Sequence, residues 1–212
     1  DLSTSFLFHG LAPWEKLETL YHKVLVVIVK SRGKLGSPLR AFRGIMPTLS
    51  LMIESENAFL EFLNAKGFVY SRMEHPAVFT CAEADAHHIG VDAVSTKNLF
   101  LCDKKARRFF LAVTACEKTV RLDELSGLFG VPHLRFASEQ NLLRLLGVAG
   151  GSVTMMGLAN DTEHIVELWI DNEIWQAENF LCHPLVNTAT LTLTKAELER
   201  FLALTGHTPK FF

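Results

Sequence analysis

The sequence predicts a single mixed α/β (α+β) domain, a mixed or antiparallel sheet wrapped by helices, carried behind a basic N-terminal extension. Three observations lead there. The chain has 212 residues, 49% of them hydrophobic, which is enough for one well-filled core and an appended segment, since domains commonly run to about 100–200 residues. Helical and strand-like patterns alternate in short pieces from residue 54 onward. Between two strand-like runs stands Asp103-Lys104-Lys105, a polar hairpin connection, and hairpins join antiparallel strands rather than the parallel strands of a doubly wound sheet.

From Thr19 through Ile53 there is no acidic residue, whereas Lys23, Lys30, Arg32, Lys34, Arg40 and Arg43 all fall there, interrupted by Gly33, Gly36, Pro38, Gly44 and Pro47. Glycine and proline mark turns or linker. The boundary is therefore set near Leu49 to Glu54, dividing the chain into an extension over 1–53 and a domain over 54–212. The extension reads either as a solvated connector or as a phosphate-contacting arm, because clustered Lys and Arg without acids attract RNA.

Within the domain, Ser55 precedes Ala58, Phe59, Phe62 and Leu63 at helical spacing, and Lys66-Gly67 closes that helix. Thr80 with Glu83 three residues on predicts a second, shorter helix. Strands are expected at Leu99 to Cys102 and Arg108 to Thr114, on either side of the hairpin connection. Asp123 to Phe129 reads as a helix stopped by Gly130, and Ser138 caps another that ends at Gly147. His164 to Ile170 and Val186 to Leu193 are further strands. Thr194 and Glu197 form a capping box for a last helix, which Gly206 ends.

Composition narrows the function classes. Charged residues make up 21% and the net charge is -2, which excludes a disordered chain and a globally basic nucleic-acid binder, so any RNA contact must be local. The longest apolar run, Val24 to Val29, has six residues, far short of the roughly 20 a membrane helix needs, so no membrane association is expected. No basic, then apolar, secretory signal follows Asp1, and that opening residue reads as the start of a fragment or processed chain. Cys81, Cys102, Cys116 and Cys182 contain no C-x-x-C pair, so reduced thiols in a cytoplasmic protein are expected. There is no G-x-S-x-G elbow, phosphate loop, dinucleotide fingerprint or H-E-x-x-H helix. His87-His88 is expected as a solvated surface pair rather than a metal site, since helix neighbours point about 100° apart.

Three local features remain. Thr96-Lys97-Asn98 leads into the apolar run Leu99-Phe100-Leu101, placing a cation and an amide at a strand entrance, although a lone lysine is commonly a solvated group. Gly151-Ser152-Val153-Thr154 ends a helical stretch in a loop where glycine lets backbone N–H groups approach a ligand oxygen, and an ordinary helix stop explains it equally well. His183-Pro184 precedes Asn187, with proline stiffening the loop that presents the imidazole, and a purely structural histidine reads the same way.

Taken together, Thr96 to Leu101 with Asp103 to Lys105, then Gly151 to Thr154, then His183-Pro184-Leu185-Val186-Asn187-Thr188-Ala189-Thr190 resemble the YbaK/prolyl-tRNA editing family of aminoacyl-tRNA deacylases. The resemblance runs from about Glu54 to Phe211 and is nearest to the free-standing, alanine-clearing branch and the prolyl-tRNA-synthetase-associated domain proteins. It implies a partly closed mixed β-sheet surrounded by helices. It implies catalytic roles for Lys97 and His183, and substrate-binding roles for Asn98, Gly151, Ser152, Val153, Thr154 and Asn187. Where the family continues with proline after the Gly-Ser-Val-Thr run, this chain has Met155-Met156, which is expected to soften the loop. Leu181 and Cys182 stand where the family often has glycine.

The implied reaction is hydrolysis of the ester of mischarged alanyl-tRNA for proline, with the proline tRNA acceptor end as partner. It needs no cofactor, because the ester is already reactive and the protein has to hold, orient and stabilise charge. Aminoacyl-tRNA synthetases or a synthetase complex are further expected partners. The alternatives are a non-catalytic tRNA-binding or synthetase-scaffold module, and a deacylase for cysteine or serine.

Overall fold

The computed structural model describes residues 52–212, so the basic cluster of the extension lies outside the described residues. Ile53 already belongs to the folded unit: its N–H donates to Asn160 Oδ1 at 2.7 Å and its carbonyl accepts from Asn160 Nδ2 at 3.0 Å. Among the described residues no helix is long and apolar enough to cross a membrane.

Among the described residues the eight strands are β1 (Ser71–Glu74), β2 (Thr96–Asp103), β3 (Phe109–Ala115), β4 (Leu134–Phe136), β5 (Val166–Ile170), β6 (Asn179–Cys182), β7 (Ala189–Thr194) and β8 (Lys210–Phe211). Five form a mixed sheet in the order β4-β2-β3-β5-β8, and three form an antiparallel sheet in the order β1-β7-β6. β2 pairs antiparallel with β3 and β4, while β5 lies parallel to β3 and β8. Val94, just ahead of β2, makes a parallel bridge to Phe180 of β6, so the lead into the large sheet is stitched to the small one. This is the partly closed mixed sheet the resemblance implied.

Around it lie α1 (Glu56–Ala65), α2 (Cys81–His87), α3 (Leu122–Leu128), α4 (Glu139–Leu146) and α5 (Lys195–Thr205). Their starts follow the sequence signals. Ser55, Thr80, Ser138 and Thr194 each accept from the backbone N–H three residues on, and Thr80 with Glu83 completes a capping box. At the last helix only half of the predicted box forms, because the Glu197 carboxylate turns to Arg200 at 2.7 Å.

β3 explains why one strand can organise the domain. Phe109, Leu111 and Val113 enter the main core, whereas Phe110 and Ala112 enter a second cluster with Leu101, Phe129 and Leu134. Alternate residues point to opposite faces, so β3 is covered on both sides and reads as a nearly continuous apolar run. The connection to β2 is the predicted hairpin, tied by Asp103 Oδ1, which accepts from the N–H groups of Arg107 and Arg108 at 2.6 and 3.1 Å. The strand expected to begin at Val186 begins at Ala189 instead. Residues 183–188 form a loop in which Leu185 has a positive φ of 68°, a conformation incompatible with a strand.

Candidate functional site

A cavity of about 230 Å³ opens where β2 begins, and five residues singled out in the sequence line it: Lys97 and Asn98 of β2, Gly151 and Val153 of the loop after α4, and His183 of the loop after β6. Neighbours along a strand face opposite ways, yet Lys97 and Asn98 share this cavity. The lysine stem is long enough to curl over the strand end, where its Nζ donates to the carbonyls of Cys116, at 3.1 Å, and Lys118. The Asn98 Oδ1 is buried and has no hydrogen-bond partner among the described residues.

The carbonyls that hold Lys97 are themselves fixed. Lys118 Nζ pairs with Asp171 Oδ2 at 2.7 Å and with Glu173 at 3.1 Å, and Thr114 donates to Asp171 at 2.7 Å. Burial alone would raise the Asp171 pKa, but the Lys118 ammonium and the Thr114 hydroxyl hold it below the usual carboxylate value. Asp171 therefore anchors, as an anion, the turn that positions Lys97.

The glycine loop has a division of labour that the sequence did not show. Gly151 is exposed with φ 84°, and a Cβ built there would meet the Phe79 ring at 3.3 Å. Ser152 is buried, does not line the cavity, and its N–H closes a turn on Ala149 O at 3.1 Å. Thr154 also stands behind the cavity. Its hydroxyl donates to the His183 carbonyl at 2.8 Å and accepts from Met156 N–H at 3.2 Å, joining the two loops. The Met155 and Met156 side chains are both buried in the main core within a short 3₁₀ helix, Met155–Asn160. Asn187 likewise does not line the cavity, and its Nδ2 ties the rim by donating to Val78 O at 3.0 Å.

His183 is half-buried, and burial first, then the positive neighbour it would have in charged His75, pushes its pKa below the ordinary value. Its Nδ1 faces the Ala189 carbonyl at 3.2 Å, so that nitrogen carries the proton and Nε2 is left as an acceptor. His75 lies behind it with ring centroids 6.5 Å apart. His75 is fully engaged, facing Pro76 O at 2.8 Å and Thr190 Oγ1 at 2.9 Å.

Two expectations are corrected at this wall. His88 is not a solvated surface residue: it is buried beside His75, with ring centroids 5.8 Å apart. It caps a seven-residue helix end that folds inward, and only His87 remains exposed. Nor are all the thiols reduced, since Cys81 and Cys116 form a disulfide with Cα atoms 5.7 Å apart. Their separation of 35 residues hid the pairing, which depends on the start of α2 meeting the end of β3. Among the described residues no group of three or more His, Cys, Asp or Glu is arranged to hold a metal ion.

The sequence reading missed the opposite wall, made by Val78 to Cys81 and Ala84 with Cys116. His75-Pro76 repeats the His183-Pro184 dipeptide, but of the two histidines His183 lines the cavity and His75 packs behind it.

Residues 75–201 match the aminoacyl-tRNA editing domain family, and the chain belongs to it. Among its relatives, prolyl-tRNA synthetase associated domain-containing protein 1 of Danio rerio is 43% identical over 151 residues, covering 70% of this chain and 82% of that protein. Prolyl-tRNA editing protein ProX of Acetoanaerobium sticklandii is 31% identical over 159 residues, covering 74% of this chain and 96% of that protein. A crystal structure of a candidate trans-editing enzyme for prolyl tRNA synthetase superposes with a TM-score of 0.55 at 21% identity, covering 74% and 95% of the two chains, a likeness of fold. The family read from the Lys97, Gly151 and His183 motifs is thus the family found.

Proposed function

We propose that this chain is a trans-editing deacylase that hydrolyses the ester of alanine wrongly attached to proline tRNA. The observation that carries the reading is the convergence of Lys97, Asn98, Gly151, Val153 and His183 on one cavity of about 230 Å³. That lining has cation, amide and exposed backbone but no activated hydroxyl or thiol, and its one cysteine pair is oxidised. Such a site suits a substrate that is already an activated ester. Family membership and the name of the ProX relative support the same chemistry.

In this reading water attacks the ester carbonyl, and the ribose 2′-hydroxyl of the terminal adenosine helps to activate it. The C–O bond to the ribose breaks, the water proton passes to the leaving ribose oxygen, and free alanine and uncharged tRNA result. Lys97 has three N–H donors, of which two hold carbonyls, so the third faces the developing negative charge or the tRNA end. The Gly151 and Val153 backbone approaches the ester, the unpartnered Asn98 Oδ1 accepts from the substrate, and His183 shapes the acyl end. Thr154, Ser152 and Asn187 act behind them as positioning residues, which revises their expected contact roles. A synthetase or synthetase complex supplies the mischarged tRNA.

Size selection gives the domain its purpose. A proline-activating site rejects a smaller side chain by only about 1–3 kcal/mol per missing methylene, so a second, smaller pocket must act. Single-turnover assays on proline tRNA charged with Ala, Cys, Ser or Pro test this. Alanine release is expected to be fastest and proline release at least about a hundredfold slower, in line with two methylene steps. Release of none of the four overturns the deacylase reading in favour of a tRNA-binding or scaffold module, and preferential proline release overturns the size argument.

A further inference from the structure

Behind the main cavity, and sharing Thr96, Cys116 and His183 with its wall, lies a recess of about 20 Å³ lined by His88, Leu181 and Thr190. His88 is 9% exposed, and neither of its ring nitrogens has a hydrogen-bond partner among the described residues. Buried polar groups in native proteins are nearly always paired, and here the neighbours are committed elsewhere. Thr190 Oγ1 is at 2.9 Å from His75, Thr96 Oγ1 is directed at Leu181 O at 3.4 Å, and Ser95 Oγ donates to Asp85 at 2.6 Å. Burial lowers the His88 pKa, which favours the neutral ring with one N–H and one acceptor nitrogen. His183 also lines the recess, which has room for one small group.

We infer that this recess receives a small hydrogen-bond donor of the substrate's acyl part, the α-ammonium of any amino acid or the side-chain hydroxyl of serine, and that His88 accepts it. The inference rests on the deacylase reading. For the serine hydroxyl this makes His88 a specificity-determining residue, since a site built around a hydrogen bond discriminates strongly against a substrate that cannot make it, and for the α-ammonium, which every amino acid carries, it makes His88 a binding residue without choice among amino acids.

The test is single-turnover deacylation of alanine- and serine-charged proline tRNA by the full chain, His88→Leu and His88→Gln, with folding followed by melting temperature. His88→Leu is expected to lose about tenfold or more, the range of one buried hydrogen bond, and His88→Gln, which keeps an acceptor, to recover most of it. Equal loss on both substrates identifies the α-ammonium, and loss on serine alone identifies the hydroxyl. A merely structural His88 predicts the opposite pattern: leucine removes two orphaned nitrogens, both rates stay at the wild-type value and the melting temperature holds or rises. That result overturns the inference while leaving the deacylase reading intact. A wild-type chain inert on every charged tRNA removes both.

A different observation carries a second inference. α2 buries none of its own residues, yet Cys81 at its start is bonded to Cys116, whose carbonyl holds Lys97 and whose side chain lines the same cavity. Cys102 and Cys182 are buried, and burial pushes the Cys182 thiol up to about 12, so thiol exchange is confined to the one pair. We propose that the pair is a redox control on the pocket wall. A dithiol reductant transfers two electrons and two protons, the S–S bond breaks to give two thiols, and the reductant becomes a disulfide. The oxidised chain is expected to bind charged tRNA at least about threefold more tightly than the dithiol-reduced chain, by anchoring α2 and the Phe79 rim. Cys81→Ser should match the reduced wild type and ignore redox state. Saturation curves identical in the two redox states overturn the control, even where the melting temperature shifts.

Discussion

Gly151→Val is expected to abolish alanine release while leaving the domain folded. The backbone at Gly151 has φ 84°, and a Cβ there would stand 3.3 Å from the Phe79 ring, which is 73% exposed at the cavity rim. A β-branched residue with positive φ is a strong outlier, costing about 1–3 kcal/mol. Against the roughly 5–15 kcal/mol of a typical domain this is survivable, and it corresponds to a melting-temperature drop of about 2–12 °C for a chain of this size. The rate has no such reserve, because valine would push the loop or Phe79 into the space that must admit the ester. A shift of about 1 Å at a reacting centre can cost a hundredfold. Gly150→Val is the control, since Gly150 has no positive φ and nothing within 4 Å of its built Cβ. Unchanged alanine release by folded Gly151→Val places the reaction outside this cavity.

What the sequence makes legible follows the range of the forces involved. Caps, glycine stops and the Asp103 hairpin were legible because each is written within a few residues, and α1, α2, α4 and α5 start at their predicted capping residues. β1 and β8 were not, since β1 has four exposed residues and β8 two, leaving no apolar alternation to read. Of the eight site residues, Lys97, Asn98, Gly151, Val153 and His183 meet at the cavity. Ser152, Thr154 and Asn187 are one step removed, because contiguity in a motif does not say which side chains turn inward. The Cys81–Cys116 bond, the buried His88 and the Asp171 anchor all arise from contacts between distant segments. No local pattern encodes them.

Lys97→Ala is expected to reduce single-turnover alanine release by about 10²–10³, the cost of removing one charge-stabilising donor aimed at a transition state. The structure sharpens the reason. A solvated lysine holds nothing, and replacing one changes stability by less than about 0.5 kcal/mol. Lys97 is instead half-buried, its ammonium is gripped by the carbonyls of Cys116 and Lys118, and those carbonyls sit on a turn clamped by Asp171. A donor preorganised in this way needs little rearrangement when charge develops, which is where electrostatic stabilisation gains its size. Lys97→Arg should recover little of the rate, because a planar guanidinium cannot reproduce two carbonyl contacts and one tetrahedrally placed donor. Lys104→Ala, on the hairpin turn and exposed, provides the charge control and should keep the wild-type rate. The assay is run at saturating enzyme so that weaker tRNA binding does not mimic lost chemistry. If folded Lys97→Ala releases alanine at the wild-type rate, Lys97 has no part in the reaction, and the family membership then speaks for the fold of this chain but not for the site proposed in it.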